Sequence, residues 1–213
     1  MKPIEISMAT AMLVAVTSAA QFQPQMVNQP QPLLMDMGGA AIQLTSPELG
    51  VEFDLDGDGR REQVAWTKRD SRVGFLAVDW NRNGFIDSGH ELIGAASGPR
   101  DAFQELAAYD GFSTQDDFNK AINRTPDGVI TAADAIFHRL LLWTDLNHNG
   151  LSEENEIVSL ANLKITEIDL REVVIGRNDD HGNSFRSEAK AYGGPGLVRT
   201  ISKVSLRAAQ SQQ

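Results

Sequence analysis

Three stretches of the sequence place short oxygen-bearing side chains at alternate positions and then a glycine. They begin at Asp54, Asp79 and Asp145 and run D-L-D-G-D-G, D-W-N-R-N-G and D-L-N-H-N-G. Carboxylates held this close together repel one another unless a positive charge lies between them. A hard cation such as Ca²⁺ takes about six to eight oxygen ligands, and alternate positions of a tight turn direct such oxygens at one point. The spacing therefore predicts three calcium sites.

The spacing beyond each glycine also follows the pattern of an EF-hand loop. The seventh residue offers its carbonyl, the ninth an oxygen, and the twelfth a carboxylate that can close the shell. We name these stretches loop 1 (residues 54–62), loop 2 (79–91) and loop 3 (145–156). The predicted ligands are Asp54, Asp56, Asp58, the Arg60 carbonyl and Glu62 in loop 1; Asp79, Asn81, Asn83, the Phe85 carbonyl, Asp87 and Glu91 in loop 2; and Asp145, Asn147, Asn149, the Leu151 carbonyl, Glu153 and Glu156 in loop 3.

The three loops differ in how they end. Loop 3 matches the pattern throughout, and we expect a helix on each side of it, as in an EF-hand. Loop 2 has His90 at its twelfth position, so Glu91 closes the shell only if the loop is one residue longer. Loop 1 has Ala65 at the twelfth position, so Glu62 at the ninth must close it.

A weaker match covers residues 123–134, where only Asp127 and Asp134 carry a charge. Thr131 and Asp134 also have the spacing of a helix capping box, which explains both without a metal. The sequence supports both interpretations. "NDDHGN", residues 178–183, could hold a further ion, but a hairpin turn explains it better.

Composition narrows the possible partners and chemistries. The chain has 213 residues, a net charge of −10, four histidines and no cysteine. The acidic balance argues against nucleic acid and anionic membranes as partners. The absence of cysteine excludes thiolate metal sites. The sequence contains no nucleophile elbow, P-loop or zinc-protease helix, so it predicts no catalytic residue.

The elements around the loops predict an α+β fold with short strands around loop 1, a central group of helices with EF-hand-like loops, and C-terminal antiparallel strands. Hydrophobic periodicity places the helices in "RDAFQELAAYD", "STQDDFNKAIN", "TAADAIFHRLLLW" and "EENEIVSLANL". Strands are predicted in "LLMDMGGAAIQL", "VEFDL", "EQVAWT", "VGFLAVDW", "KITEIDLREVVIG", "NSFRSEAKAY" and "LVRTISKVSLR".

Composition also divides the chain into segments. Residues 1–20 carry a lysine, an apolar stretch and small residues before a cleavage point, as in a signal peptide; a short buried or frayed helix is the alternative. Residues 21–32 form a Gln/Pro-rich linker, 33–206 the calcium-binding module and 207–213 a disordered tail. No later segment is apolar enough to span a membrane, so we expect a secreted or periplasmic protein.

The loop order resembles a self-processing module of large bacterial exoproteins of the RTX type. "PLLMDMGG", "FDLDGDGRREQVAW", "DWNRNGFIDSGHELIG" and "DLNHNGLSEENEI" carry the resemblance, which covers about residues 32–205. It implies calcium binding by the three loops. Some such modules cleave an Asp-Pro bond just before the module when calcium binds. Here Gln31 precedes Pro32 and the chain has no Asp-Pro pair, so the resemblance does not imply self-cleavage.

These observations together predict a small secreted protein with about three calcium sites. Calcium is expected to be mainly structural and to order the module for an unidentified protein partner. Two other functions fit the same residues: a calcium-dependent processing or peptidase-like module that acts in trans, and a dockerin-like or adhesive protein-binding module.

The signal-peptide interpretation predicts a mature chain that begins at or near Gln21. Intact-mass measurement of the secreted protein checks this. A secreted chain that still carries residues 1–20 would contradict the interpretation.

Overall fold

Antiparallel β-strands dominate the computed structural model, which describes residues 29–39, 41–96, 101–122 and 124–209. The predicted signal peptide, most of the linker and the end of the tail lie outside these residues. The strands are β1 (Leu33–Asp36), β2 (Val51–Phe53), β3 (Glu62–Val64), β4 (Val73–Ala77), β5 (Val129–Thr131), β6 (Leu141–Trp143), β7 (Ile157–Ser159), β8 (Ile165–Asp169), β9 (Val173–Asn178), β10 (Ser184–Gly193) and β11 (Val198–Ser205). The α-helices are α1 (Ala102–Ala107) and α2 (Gln115–Lys120), and short 3₁₀ helices cover Pro47–Leu49, Gly89–Glu91, Ala135–Arg139 and Glu154–Glu156.

Nine strands form one antiparallel sheet in the order β5-β8-β10-β11-β1-β4-β6-β7, and β9 pairs with part of β10. The other two strands, β2 and β3, form a separate hairpin. Strand β1 lies inside the sheet between β11 and β4, with Leu33 opposite Lys203 and Leu34 opposite Phe75. The predicted α+β fold with a central helical group is therefore wrong, because the described part of the chain is mostly β.

Two of the predicted helices are strands and 3₁₀ turns instead. The "TAADAIFHRLLLW" segment contains the Ala135–Arg139 turn and then β6, and "EENEIVSLANL" contains the Glu154–Glu156 turn and then β7. The apolar run before loop 3 satisfies both helical and strand periods, so periodicity alone does not decide between them. Pairing decides it, because Trp143 lies opposite Phe75 of β4 on one side and Ile157 of β7 on the other.

The other two predicted helices are confirmed as short ones. Helix α1 begins after Asp101, whose side chain accepts hydrogen bonds from the N–H groups of Phe103 and Gln104. Helix α2 begins after Thr114, whose hydroxyl accepts from the Asp117 N–H at 3.0 Å. None of the described helices has the length and apolar character needed to cross a bilayer.

Both faces of the sheet are buried at β1 and β4, whose successive residues alternate between two core clusters. In β4, Leu76 belongs to one cluster and Phe75 and Ala77 to the other. The first cluster packs under α1. The second contains Phe53 from β2 and Ile86 from loop 2, so the acidic loops lie over this second face.

Candidate metal centre

Each acidic loop connects two antiparallel backbone segments. Loop 1 joins β2 to β3, where Phe53 lies opposite Glu62. In loop 2 the Val78 N–H donates to the Glu91 carbonyl at 2.8 Å, and in loop 3 the Thr144 N–H donates to the Glu156 carbonyl at 2.9 Å. Loop 3 thus lies between strands β6 and β7, and the expected EF-hand arrangement with a helix on each side is wrong.

The three loops share one backbone conformation. The fourth residue of each loop has a φ angle of 75°, 62° or 60°, and the sixth has 87°, 85° or 67°. These residues are Gly57, Arg82 and His148 at the fourth position, and Gly59, Gly84 and Gly150 at the sixth. A non-glycine residue rarely adopts this left-handed region. Loops 2 and 3 adopt it at Arg82 and His148, which indicates that the loop contacts impose the conformation.

The hydrogen bonds within the loops also repeat. The N–H of the sixth-position glycine donates to the first-position aspartate at 3.1, 2.9 and 2.9 Å in loops 1, 2 and 3. The N–H of the seventh residue donates to the side-chain oxygen of the fifth at 2.8, 2.8 and 2.7 Å. These contacts hold the side chains of the first and fifth residues on the inner side of each turn.

Each loop also contains one buried carboxylate oxygen without a hydrogen-bond partner. These oxygens are Oδ1 of Asp54 in loop 1, Oε1 of Glu91 in loop 2 and Oε2 of Glu153 in loop 3. A buried anionic oxygen without a donor is costly. A cation inside the loop would supply the missing partner, so the residues present fit a bound metal ion.

Loop 1 brings four carboxylates close together. Oxygen atoms of Asp54, Asp56, Asp58 and Glu62 all lie within 4.8 Å of one another. Ligand oxygens on opposite sides of a calcium ion are roughly 4.6–5.2 Å apart, so the cluster has the dimensions of one coordination shell. Among the described residues only loop 1 groups three or more acidic side chains in this way, because loops 2 and 3 use asparagine at two of the alternate positions.

Loops 2 and 3 are closed by equivalent glutamates. The N–H of the ninth residue donates to Oε2 of Glu91 at 3.0 Å in loop 2 and to Oε2 of Glu156 at 3.3 Å in loop 3. Both glutamates are nearly fully buried. Glu91, the thirteenth residue of loop 2, therefore has the same position relative to its own loop as Glu156, the twelfth residue of loop 3.

Burial raises the pKa of Glu62, Glu91 and Glu156 above the usual range of a glutamate. The neighbouring carboxyl groups of Asp56, Asp87 and Glu153 respectively raise these pKa values further. The charged form of each closing carboxyl group is thus disfavoured in the metal-free protein, and a cation would favour it.

Side-chain amides of asparagines donate hydrogen bonds to carboxylates that are predicted calcium ligands. In loop 3 the Nδ2 groups of Asn147 and Asn149 donate to Oε1 of Glu153 at 3.1 and 2.8 Å. In loop 2 the Asn83 Nδ2 donates to Oδ2 of Asp87 at 2.8 Å. A cation ligated by these carboxylates would replace the amide N–H donors.

The 123–134 segment differs from the three loops. Its fourth position is Pro126, whose ring excludes positive φ angles. The Asp134 carboxylate accepts from the Gly111 N–H at 2.7 Å and the Thr131 N–H at 2.8 Å, so each of its oxygens has a backbone donor. This geometry supports the interpretation without a metal; Asn123 itself lies outside the described residues.

The "NDDHGN" segment is confirmed as the hairpin turn between β9 and β10. Oδ1 of Asp179 accepts from the N–H groups of His181 and Asn183, both at 2.9 Å. These donors satisfy the aspartate within the turn.

The three loops lie against one another. The Gly89 N–H of loop 2 donates to the Asp54 carbonyl of loop 1 at 2.7 Å. The Ile86 N–H of loop 2 donates to the Ser152 hydroxyl of loop 3 at 2.7 Å. A side chain at Gly150 of loop 3 would meet the Glu52 carbonyl before loop 1. The predicted sites therefore form one cluster rather than three separate turns.

Two tryptophans support loop 3, and sequence reasoning missed Trp66. The Trp66 Nε1–H donates to Oδ2 of the fully buried Asp145 at 2.8 Å, and the Trp143 Nε1–H donates to Oε2 of Glu156 at 3.4 Å. The sequence places Trp143 beside the loop, two residues before Asp145. Trp66 could not be found in this way, because it lies 79 residues before Asp145 in the chain.

Comparisons with known proteins show the family to which this chain belongs. Residues 33–207 match the family model of the SPM domain, so the chain belongs to that family. The iron-regulated protein FrpA of Neisseria meningitidis serogroup C is 32% identical to it over 159 residues, which are 74% of this chain and 14% of FrpA. The chain thus spans about one seventh of that relative's length. Both findings are consistent with the resemblance to modules of bacterial RTX-type exoproteins.

The contact between loops 1 and 2 predicts a sensitive glycine. A Cβ atom at Gly89 would lie 1.9 Å from the Leu55 carbonyl oxygen, so Gly89→Ala must push the two loops apart. We expect it to lower the free energy of unfolding by about 1–3 kcal/mol, measured by denaturant titration in chelator. The control is Gly194→Ala, where the added methyl group has no heavy atom within 4 Å. Equal stabilities of the two variants would contradict the close approach of the loops.

Proposed function

We propose that this SPM-domain protein is a secreted calcium-binding module in which loops 1, 2 and 3 each hold one Ca²⁺. The observation that carries the proposal is the buried carboxylate oxygen without a partner, which occurs once in each of these loops. Within the described part of the 123–134 segment no such oxygen occurs. A cation in each loop accounts for this distribution.

The donor set favours calcium over other ions. Every predicted ligand is a carboxylate, an amide oxygen or a carbonyl, which are hard donors. The loops contain no cysteine, and both ring nitrogens of His148 face backbone carbonyls, those of Thr67 and Leu49, at 2.7 and 2.8 Å. The other histidine of the loops, His90, offers a single imidazole, so these features disfavour zinc and copper. Magnesium demands near-ideal octahedral geometry, which mixed loops of nine to thirteen residues do not impose.

A structural role fits the position of the loops. Phe53 immediately before loop 1, Leu55 on loop 1 and Ile86 on loop 2 are core residues. The loops thus cover one face of the large sheet as well as presenting ligands. An ion that holds the loops in place would also hold this cover in place. Calcium would therefore order the module. The ordered module would be the form that binds a protein partner outside the cell.

Calcium should therefore stabilise the fold. Extracellular calcium sites bind at roughly 0.1–1 mM. At about 2 mM calcium, a site at the tight end of this range adds about 1.8 kcal/mol by mass action. We expect three sites to raise the melting temperature by many degrees, with a smaller effect of magnesium. Thermal melts in calcium, magnesium and chelator check this, and equal curves would reject the proposed function.

A pair of variants tests which loops bind calcium. Glu156→Gln keeps a hydrogen-bond acceptor for Trp143 but replaces two charged oxygens with one neutral oxygen. We expect it to weaken one site by about tenfold or more, measured by calorimetric titration together with Trp143 fluorescence. The matched control, Asp134→Asn, should leave the calcium stoichiometry unchanged. Loss of one ion in the control, with none lost in Glu156→Gln, would reverse the assignment.

A further inference from the structure

A cleft of about 630 Å³ lies beside loop 1, and side chains of opposite charge line it. Asp56 and Glu62 of loop 1 contribute the acidic side chains. Arg186 of β10 and Arg207, which follows β11, contribute the basic ones. We propose that this cleft binds an acidic peptide, one carboxylate of which ligates the loop 1 calcium ion and pairs with these arginines. The inference rests on the calcium occupancy of loop 1 proposed above.

Loop 1 is the loop whose own residues leave a calcium ion short of oxygens. Ala65 stands where loop 3 has its closing glutamate, and it is fully buried. We count one oxygen for each predicted ligand, including Glu62, whose Oε2 also accepts from the Leu55 N–H at 3.2 Å. The predicted ligands of loop 1 then offer about five oxygens, whereas calcium takes about six to eight. The remaining oxygens would come from water or from a ligand bound in the cleft.

The two arginines that line the cleft can bind a carboxylate of the ligand. Among the described residues neither Arg186 nor Arg207 forms an ion pair. The Nε–H of Arg186 donates to the Ser205 hydroxyl at 3.4 Å, and the Arg207 side chain lies along Gly182. Both guanidinium groups keep terminal N–H donors free, and a guanidinium binds a carboxylate with two parallel hydrogen bonds.

Size and charge favour a peptide that binds only with calcium. A volume near 630 Å³ lies in the usual range of ligand pockets, roughly 300–1,000 Å³, and exceeds what one carboxylate fills. Without calcium, the four clustered carboxylates of loop 1 repel an acidic ligand. With calcium bound, the cleft has three positively charged groups that attract an anion: the ion and the two arginines.

Fluorescence anisotropy with a labelled, end-blocked Gly-Asp-Glu-Asp-Gly peptide tests the proposal. We expect binding in about 2 mM calcium, which lies above the roughly 0.1–1 mM at which extracellular calcium sites bind, and none in chelator. The matched Gly-Asn-Gln-Asn-Gly peptide should not bind. Arg186→Gln and Arg207→Gln should each weaken binding by about tenfold, the usual effect of losing one charge-assisted hydrogen-bonded pair. Arg69→Gln, at an exposed turn that does not line the cleft, should have no effect.

The outcomes separate this inference from the proposed function. Calorimetry of the Asp56→Ala/Asp58→Ala double variant, which removes two exposed ligands of loop 1, first establishes whether this loop binds an ion. An unchanged calcium stoichiometry would contradict both the loop 1 site and the cleft ligand. If loop 1 binds calcium but the acidic peptide does not bind, only the cleft ligand is wrong. The cleft ligand is also wrong if the acidic peptide binds equally well to the Arg69→Gln, Arg186→Gln and Arg207→Gln variants. The same holds if the peptide binds equally well in chelator and in calcium. Melting temperatures of the variants in calcium verify that each is folded.

Discussion

The burial of closely spaced carboxylates is the constraint on which this fold depends. Asp145 is fully buried, and only 3% of Glu91 and 2% of Glu156 is exposed. Burying such groups is unfavourable unless donors or a cation surround them. Backbone N–H groups of the turns and the indole N–H groups of two tryptophans supply most of the donors. One buried oxygen in each loop has none, and that remaining deficit is the feature which the proposed calcium ions would remove.

The β scaffold provides for the loops what helices provide in an EF-hand. A cation loop needs its two ends held close together and its central turn fixed. Here paired strand segments hold the ends, as in the bond between Thr144 and Glu156. Left-handed residues at the fourth and sixth positions fix the turn. The same spacing of ligands can therefore occur in a mostly β protein, because the coordination pattern depends on the loop and not on the class of the flanking elements.

This explains which features the sequence predicts well. Loop spacing, most strands and the hairpin turn at residues 178–183 depend on residues that are near one another in the chain, and these could be predicted. The fold class depends on distant partners: the run that ends at Trp143 becomes a strand because Phe75 lies opposite it. The position of Glu91 likewise depends on contacts between loops, since a side chain at Gly89 would collide with Leu55 of loop 1. Local spacing contains no information about such contacts.

The aromatic residues connect the loops to the core. Trp66 and Trp143, which donate to loop 3, pack with Phe53 and Phe75 at ring-centroid distances of 4.4–5.9 Å. Phe53 immediately precedes Asp54, so the same cluster also supports the first ligand of loop 1. A change of charge at Asp145 or Glu156 therefore acts directly on an indole in the centre of this cluster. Because all four rings are fully buried, they cannot adjust independently of the sheet. An ion in loop 3 would thus stabilise the core as a whole, which is the physical basis for a structural role of calcium.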